Sequence, residues 1–310
     1  MTSLPQLSAS ATGVADLLQL SRQTLLRARQ SGALQPIHTE STQLTEAGLP
    51  FSLRWVSSLA HKDRMQDETR RPAPEPPARP SAEPGPRARP NPFLPPDPQL
   101  CVAALGEHHL VVLNKFPVID DHLLLVTRTF QPQTAPLDPA DWAALAAVVA
   151  AHAGLGFYNG GTEAGASQPH RHLQWIPHTV SSGADALAPF AAGLRPQQHA
   201  QAQHQPALPW RHAFVALDAG KVDGASVQRA FALACTALKM ETRADPMPPW
   251  NLLLTRHWLL LVPRRCESWQ GVSINALGYA GSLFARERER IEALRAIGPL
   301  ALLRAVGQPS

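Results

Sequence analysis

The residues with the most chemistry in them are His170, His172 and Gln174, spaced two apart in the run His170-Arg171-His172-Leu173-Gln174. In an extended strand, residues two apart project to one face, so these three line up while Arg171 and Leu173 turn away. A neutral imidazole attacks phosphorus well near neutral pH and leaves well once phosphorylated. That use requires its second ring nitrogen to be tied to a partner such as a backbone carbonyl. His172 is the candidate nucleophile and His170 its orienting neighbour. Gln174 can donate to a phosphoryl oxygen but can act as neither acid nor base. Ahead of the strand, Asn159-Gly160-Gly161 and Gly165-Ala166-Ser167 place small residues whose N–H groups can approach phosphate oxygens. Ser167 adds a hydroxyl. Two blander readings fit the same spacing: a structural histidine pair, or two ligands of a metal site with Glu163 as the one near carboxylate. The nucleophile reading is preferred, and no metal site is expected.

The elements that must position these residues are legible from periodicity. Apolar residues at helical spacing over 14–30 predict an amphipathic helix, and FSLRWVSSL over 51–59 predicts a strand. Residues 66–90 are dense in proline and predict an extended connector. Two apolar runs, His109–Leu113 and Leu123–Thr127, predict a hairpin. The run DWAALAAVVAAHAG after Pro139 predicts a capped helix, followed by a strand, the glycine-rich loop and the histidine strand. Residues 181–208 read as a surface loop. A strand at Ala213–Leu217, a helix over Ser226–Met240, the paired runs of NLLLTRHWLLLVPR and a helix over Ile274–Ala296 complete the chain. The hairpin of NLLLTRHWLLLVPR echoes LVVLNKF…HLLLVTR, either as an internal duplication or as two independent hairpins.

Composition narrows the class. The chain has 310 residues with 44% hydrophobic and 17% charged content, which suits a globular protein with a sizeable core. A net charge of +4 suits a polyphosphate ligand, although it equally describes a soluble surface. Three scattered cysteines form no CxxC pair, so a reducing compartment is expected. The first 21 residues lack a basic stretch followed by an apolar run, and no segment is long enough to span a bilayer. A cytoplasmic protein with neither membrane nor nucleic-acid partners is expected.

The motif GGTEAGASQPHRHLQ closely resembles that of the ATP adenylyltransferases, also called diadenosine tetraphosphate phosphorylases, of the histidine-triad superfamily. The likeness continues in NPFLPPDPQL, LNKFPVIDDHLLLVTR, NLLLTRHWLLLVPR and GVSINALGYAGSLF, over roughly residues 51–65 and 91–305. It implies an α+β fold: a histidine-triad-like antiparallel sheet with flanking helices, and a second, related half at the C-terminus. The implied organisation is an N-terminal helix and strand (1–65), the proline-rich linker (66–90), a catalytic half (91–205) and a C-terminal half (206–310). The implied reaction is reversible phosphorolysis of diadenosine tetraphosphate to ATP and ADP through an AMP–His172 adduct, with Gln174 binding phosphoryl oxygens in both transfers.

By the same resemblance, Asn114 and Lys115 match a substrate-binding stretch, and Asn159, Gly165, Ala166, Ser167 and Gln168 match the phosphate loop. Lys62 is placed near the polyphosphate, a solvated lysine being the other reading. Thr255, Arg256 and Arg264 fall where the family contacts substrate, against a surface-charge reading. The sequence departs from the family pattern at Asp121, where a second histidine often precedes His122, and at Arg171, commonly lysine. The first leaves the role of His122 open. No built-in cofactor is expected; magnesium is the expected companion of the polyphosphate. The rival functions are a sugar-phosphate nucleotidylyltransferase of the uridylyltransferase type and a non-catalytic nucleotide-binding or sensor protein.

Overall fold

A computed structural model describes residues 4–57, 91–177, 185–242 and 244–309. Lys62 and the proline-rich stretch 66–90 lie outside the described residues. The chain begins with β1 (Gln6–Leu7), α1 (Leu17–Gln30) and a hairpin of β2 (Thr39–Glu46) and β3 (Leu49–Val56). The chain then runs β4 (Cys101–Leu105), β5 (His109–Leu113), β6 (Leu123–Thr127), α2 (Pro139–His152), β7 (Leu155–Gly160) and β8 (His172–Ile176). β9 (Ala202–Gln203) follows, and then β10 (Ala213–Ala216), α3 (Gly224–Ala237), β11 (Trp250–Leu254) and β12 (Trp258–Pro263). The chain closes with β13 (Ser268–Trp269), β14 (Val272–Ser273), β15 (Ser282–Ala285), α4 (Arg288–Ile297) and α5 (Pro299–Val306). The fold is α+β. No helix among the described residues is long and apolar enough to cross a membrane.

Both halves share one ten-stranded sheet in the order β1-β4-β5-β6-β8-β7-β11-β12-β10-β9, antiparallel except where β1 joins β4. The halves meet where β7 pairs with β11, with Asn159 opposite Asn251. The sheet is covered on both faces, which is why its central strands are buried throughout rather than alternating. On one face α1, α2 and α3 pack over a core that includes Trp142, Val148, Tyr158, Leu173 and Trp175. On the other lie the small sheet β15-β3-β2, α4, α5 and a core that includes Phe51, Phe157, Phe190, Trp210 and Leu253.

The helices start where their caps dictate. Asp138 accepts from the N–H groups of Ala140 and Asp141 while Asp141 returns a bond to the Asp138 N–H, a capping box with Pro139 at the first position. Asp223 and Ser226 repeat the device on α3. Gly224 lets α3 approach α2 closely, since a Cβ there would lie 2.8 Å from the Ala143 Cα.

Three expectations need correction. The helix expected over Ile274–Ala296 is a 3-10 turn (Ala276–Ala280), then β15, then α4, because Gly281 takes a left-handed φ of 78° and β15 is recruited to β3. The stretch 185–208 is not merely a surface loop: it supplies β9 and buries Leu187, Phe190 and Leu208. The echo between hairpins also has a different correspondence. The strand–helix–hairpin β6-α2-β7-β8 is matched by β10-α3-β11-β12, and in both the last strand inserts between the other two. The strand of the second unit that takes the place of β8 is β12, Trp258–Pro263, which holds only apolar residues. The second unit therefore carries no copy of the chemistry.

Arg171 shows what holds the histidine strand down. It points to the helical face, where its guanidinium bonds Asp141 at 2.7 Å and the Pro136 carbonyl at 2.9 Å. Asp141 also takes a 2.8 Å bond from His109 Nε2, and all three side chains are buried. Removing the Asp141 carboxylate leaves the buried guanidinium only the half-exposed Asp138, at 3.4 Å, as counter-ion. Asp141→Ala is expected to lower stability by about 3–5 kcal/mol in chemical denaturation. A loss below about 1 kcal/mol, the scale of an exposed pair, would show that the ion pair does not anchor the strand.

Candidate active site

The nucleophile candidate is locked in one tautomer. His172 Nδ1 lies 2.8 Å from the His170 carbonyl, which can only accept, so Nδ1 carries the proton and Nε2 keeps its lone pair. Burial pushes the His172 pKa down to about 4, with a smaller lowering from His170. His170 is fixed in turn. Its Nε2–H donates to the Thr127 carbonyl at 2.8 Å, and its Nδ1 accepts from the Asn91 amide at 2.9 Å. That bond secures the segment carrying Phe93, whose ring lies against both histidines, with centroids 5.6 and 5.4 Å away.

Gln174 is the next residue on the same face. Its Oε1 accepts from His122 Nε2 at 3.0 Å, and His122 Nδ1 accepts from the Asn114 amide at 3.1 Å. Among the described residues the Gln174 amide N–H groups take no acceptor, so they are free to donate. Burial lowers the His122 pKa to about 4 as well, keeping the link neutral. His122 thus belongs to the site. The aspartate before it, with a left-handed φ of 56°, forms the turn that delivers it.

Below the strand, Gln133 ties the layers together. Its Oε1 accepts from the His172 N–H at 2.9 Å and its Nε2 donates to the Asn159 carbonyl at 2.9 Å. Nothing in the sequence singled out Gln133, Asn91 or Phe93 individually. For Asn91 and Phe93 the only signal is the run NPFLPPDPQL, a family likeness rather than chemistry, and for Gln133 there is none.

Asn114, Asn159, Gly165, Ser167 and Gln174 line one cleft of about 520 Å³, together with His122. Within the glycine loop the Gly165 and Ala166 N–H groups are spent on the Thr162 and Gly161 carbonyls, closing the 3-10 turn. The N–H groups of Ser167 and Gln168 take no protein acceptor among the described residues. Gly165, at φ 87°, allows the loop to sit on the C-terminal half, since a Cβ would meet the Ile274 carbonyl at 2.7 Å.

Four expected positions are placed elsewhere. Lys115 is exposed, its ammonium 5.7 Å from the Phe116 ring centre, and does not line the cleft. Thr255 and Arg256 sit in the β11–β12 turn, at the end of the sheet away from Asn159. There Thr255 Oγ1 accepts from the Trp258 N–H at 3.1 Å and Arg256 Nε donates to the Val149 carbonyl at 3.3 Å. Arg264 is fully buried. It donates to Asn251 Oδ1 at 2.5 Å and to the carbonyls of Cys266, Ile274 and Val306 at 2.8, 3.0 and 3.2 Å. Asn251 in turn holds Asn159 Oδ1 and the Ala164 carbonyl. Arg264 therefore supports the glycine loop from beneath instead of meeting the ligand.

Fold and site together define the class: a nucleotide-transferring protein of the histidine-triad type, with a buried imidazole held as a single tautomer and a glycine loop lining the cleft. Residues 9–195 match the family described as Ap4A phosphorylase N-terminal domain, and residues 206–309 the ATP adenylyltransferase C-terminal domain. The chain belongs to the Ap4A phosphorylase family. It is 28% identical to diadenosine 5',5'''-P1,P4-tetraphosphate phosphorylase 2 of Saccharomyces cerevisiae over 310 aligned residues, covering 90% of each chain. Its fold matches the crystal structure of yeast Ap4A phosphorylase Apa2 in complex with Ap4A, with TM-score 0.72, 25% identity, and coverage of 95% of this chain and 98% of that one. The same protein in complex with AMP also matches with TM-score 0.72 and 25% identity, at the same coverage.

The burial of His172 has a measurable consequence. Because burial penalises the imidazolium, the folded chain takes up this proton only near pH 4, whereas the unfolded chain takes it near pH 6.5. Between those values the unfolded state binds more protons, so this residue's contribution to stability falls as pH falls through that window. ¹⁵N NMR of the imidazole is expected to show an Nδ1–H tautomer and no titration near pH 6.5. A midpoint at 6.5 would mean that the ring is solvated and the lock absent.

Proposed function

We propose that this protein cleaves diadenosine tetraphosphate with inorganic phosphate, giving ATP and ADP, in a reversible double displacement. His172 Nε2 attacks the α-phosphorus, the P–N bond forms, and ATP leaves with the bridging oxygen. Phosphate then attacks the same phosphorus, the P–N bond breaks, and ADP leaves. The observation that carries this reading is the Nδ1–H bond of His172 to the His170 carbonyl, which leaves a lone pair on Nε2 beside a free Gln174 amide. As negative charge grows on the phosphoryl oxygens, the Gln174 N–H groups and the Ser167 and Gln168 amides are its donors. Gln174 supplies no general base to activate water, which favours phosphate as the acceptor over hydrolysis.

Several further assignments belong to the same proposal. ATP, ADP and phosphate bind in the cleft with the dinucleotide. Magnesium arrives on the polyphosphate rather than on protein ligands. The cytoplasm is the compartment, consistent with three unpaired cysteines.

The test is product analysis with labelled phosphate. ATP and labelled ADP are expected, and only when phosphate is present; equally fast release of AMP without phosphate would make the protein a hydrolase. His172→Asn is expected to abolish turnover. Gln174→Ala is expected to lower kcat by about 10²–10³-fold, the cost of losing one donor to developing charge.

A further inference from the structure

Asn114 and His122 face each other across the mouth of the loop that joins β5 to β6. The backbone closes that loop, since the Asn114 N–H donates to the His122 carbonyl at 3.0 Å. The side chains close it a second time, in a chain of bonds whose direction the backbone sets. At its far end the Phe116 N–H lies 3.2 Å from Asn114 Oδ1. A backbone N–H can only donate, so the Asn114 oxygen turns to it in an Asx-turn, and the Asn114 NH2 turns to His122. His122 Nδ1 lies 3.1 Å from that NH2 and must accept, which leaves the ring proton on Nε2. Nε2–H in turn meets the oxygen of the Gln174 amide at 3.0 Å. The Gln174 NH2 is therefore the end presented to the cleft.

His122 is thus held in the tautomer opposite to that of His172, whose Nδ1 faces a carbonyl instead of an amide NH2. Packing holds the ring as well, its centroid 5.7 Å from that of Phe157. The titratable group that acts on it is His172, itself neutral. The charged side chains of the same cleft, Arg54, Glu267, Arg286, Glu287 and Arg290, come from β3 and the segments after β12. The loop that supplies the first donor is pinned from outside, its Lys115 and Pro117 carbonyls accepting from the N–H groups of Gln35 and Ile37. Without such a relay an amide turns over at little cost, since its two ends are nearly the same size. Turned over, Gln174 would set a carbonyl lone pair against phosphoryl oxygens.

We infer that Asn114 and His122 are positioning residues for the transfer, a relay that carries the polarity of the Phe116 N–H to the Gln174 amide and keeps a donor, not an acceptor, on the transferred phosphoryl group. This rests on the function proposed above, in which Gln174 is that donor. The substitution that reverses the relay while keeping its shape is Asn114→Asp. The carboxylate still accepts from the Phe116 N–H but has no NH2, so a neutral His122 must give it an Nδ1–H. Nε2 then becomes an acceptor, and Gln174 turns its NH2 to the ring and its oxygen to the cleft. Only a ring protonated on both nitrogens, which the new carboxylate favours, keeps the native direction.

The experiment pairs ¹⁵N NMR of His122 with kcat for phosphorolysis of diadenosine tetraphosphate, both followed across the pH range in which the ring titrates. In wild type the neutral ring should carry its proton on Nε2; a proton on Nδ1 instead would overturn the relay without any variant. In Asn114→Asp, kcat relative to wild type should fall by about 10²–10³-fold as the ring loses its Nε2 proton, as expected for one donor lost from developing charge. The two measurements should share a midpoint, and KM should move little. Full activity with the proton on Nδ1 alone would overturn the assignment. Introduced into Gln174→Ala, the same substitution should add no such pH-dependent loss. If it does, Asn114 acts on the ligand directly and the relay is wrong. Wild-type kcat in Gln174→Ala itself would remove the donor role and sink the reading beneath the relay, whichever tautomer His122 shows.

Discussion

The site depends on a hydrogen bond between residues only two apart, from His172 Nδ1–H to the carbonyl of His170. An imidazole in water exchanges tautomers freely and is protonated near pH 6.5. Here one nitrogen is held as a donor, and burial keeps the ring neutral down to about pH 4. The lone pair of Nε2 is therefore always present and always points the same way. The cost of burying the polar ring is offset by the hydrogen bonds that hold it and its neighbours. His170 is fixed by Thr127 and Asn91, the His172 backbone by Gln133, and Gln174 by His122. The donors this network leaves open are those of the Gln174 amide, which lines the cleft.

The rest of the fold serves to keep this strand in place and to close a cleft over it. Arg171 ties β8 to the N-terminus of α2 from behind, so the histidine face cannot slip in register without breaking a buried ion pair. From the side, the C-terminal half extends the same sheet and buries Arg264 under the glycine loop. That guanidinium reaches the Asn251 side chain, which holds both Asn159 and Ala164. The C-terminal half thus contributes support and a second cleft wall, while its own counterpart of β8, the wholly apolar β12, carries no copy of the chemistry.

The parts of this arrangement that were legible in the sequence are those set by local periodicity. Alternation in His170–Gln174 gave the reactive face and the outward turn of Arg171, and capping residues around Pro139 gave the start of α2. The run Ile274–Ala296 misled because its apolar spacing suits a helix, while pairing with β3, distant in sequence, wins over local preference. Arg264 and Arg256 were read as ligand contacts on residue type and position. Charge does not reveal whether a guanidinium faces a cleft or a cage of carbonyls, since that depends on segments brought together from other parts of the chain. Gln133 and Asn91 were silent for the same reason. Each is an ordinary polar residue in a loop, given meaning only by what the fold sets beside it.

The central claim is that the transferred phosphoryl group passes through a bond to His172. The most direct measurement is the stereochemical course at the α-phosphorus, read with a dinucleotide made chiral there by sulfur and oxygen isotopes. Two in-line displacements each invert the centre, so the account predicts net retention in the ADP product. Net inversion would mean a single direct attack by phosphate, and would contradict a covalent role for His172.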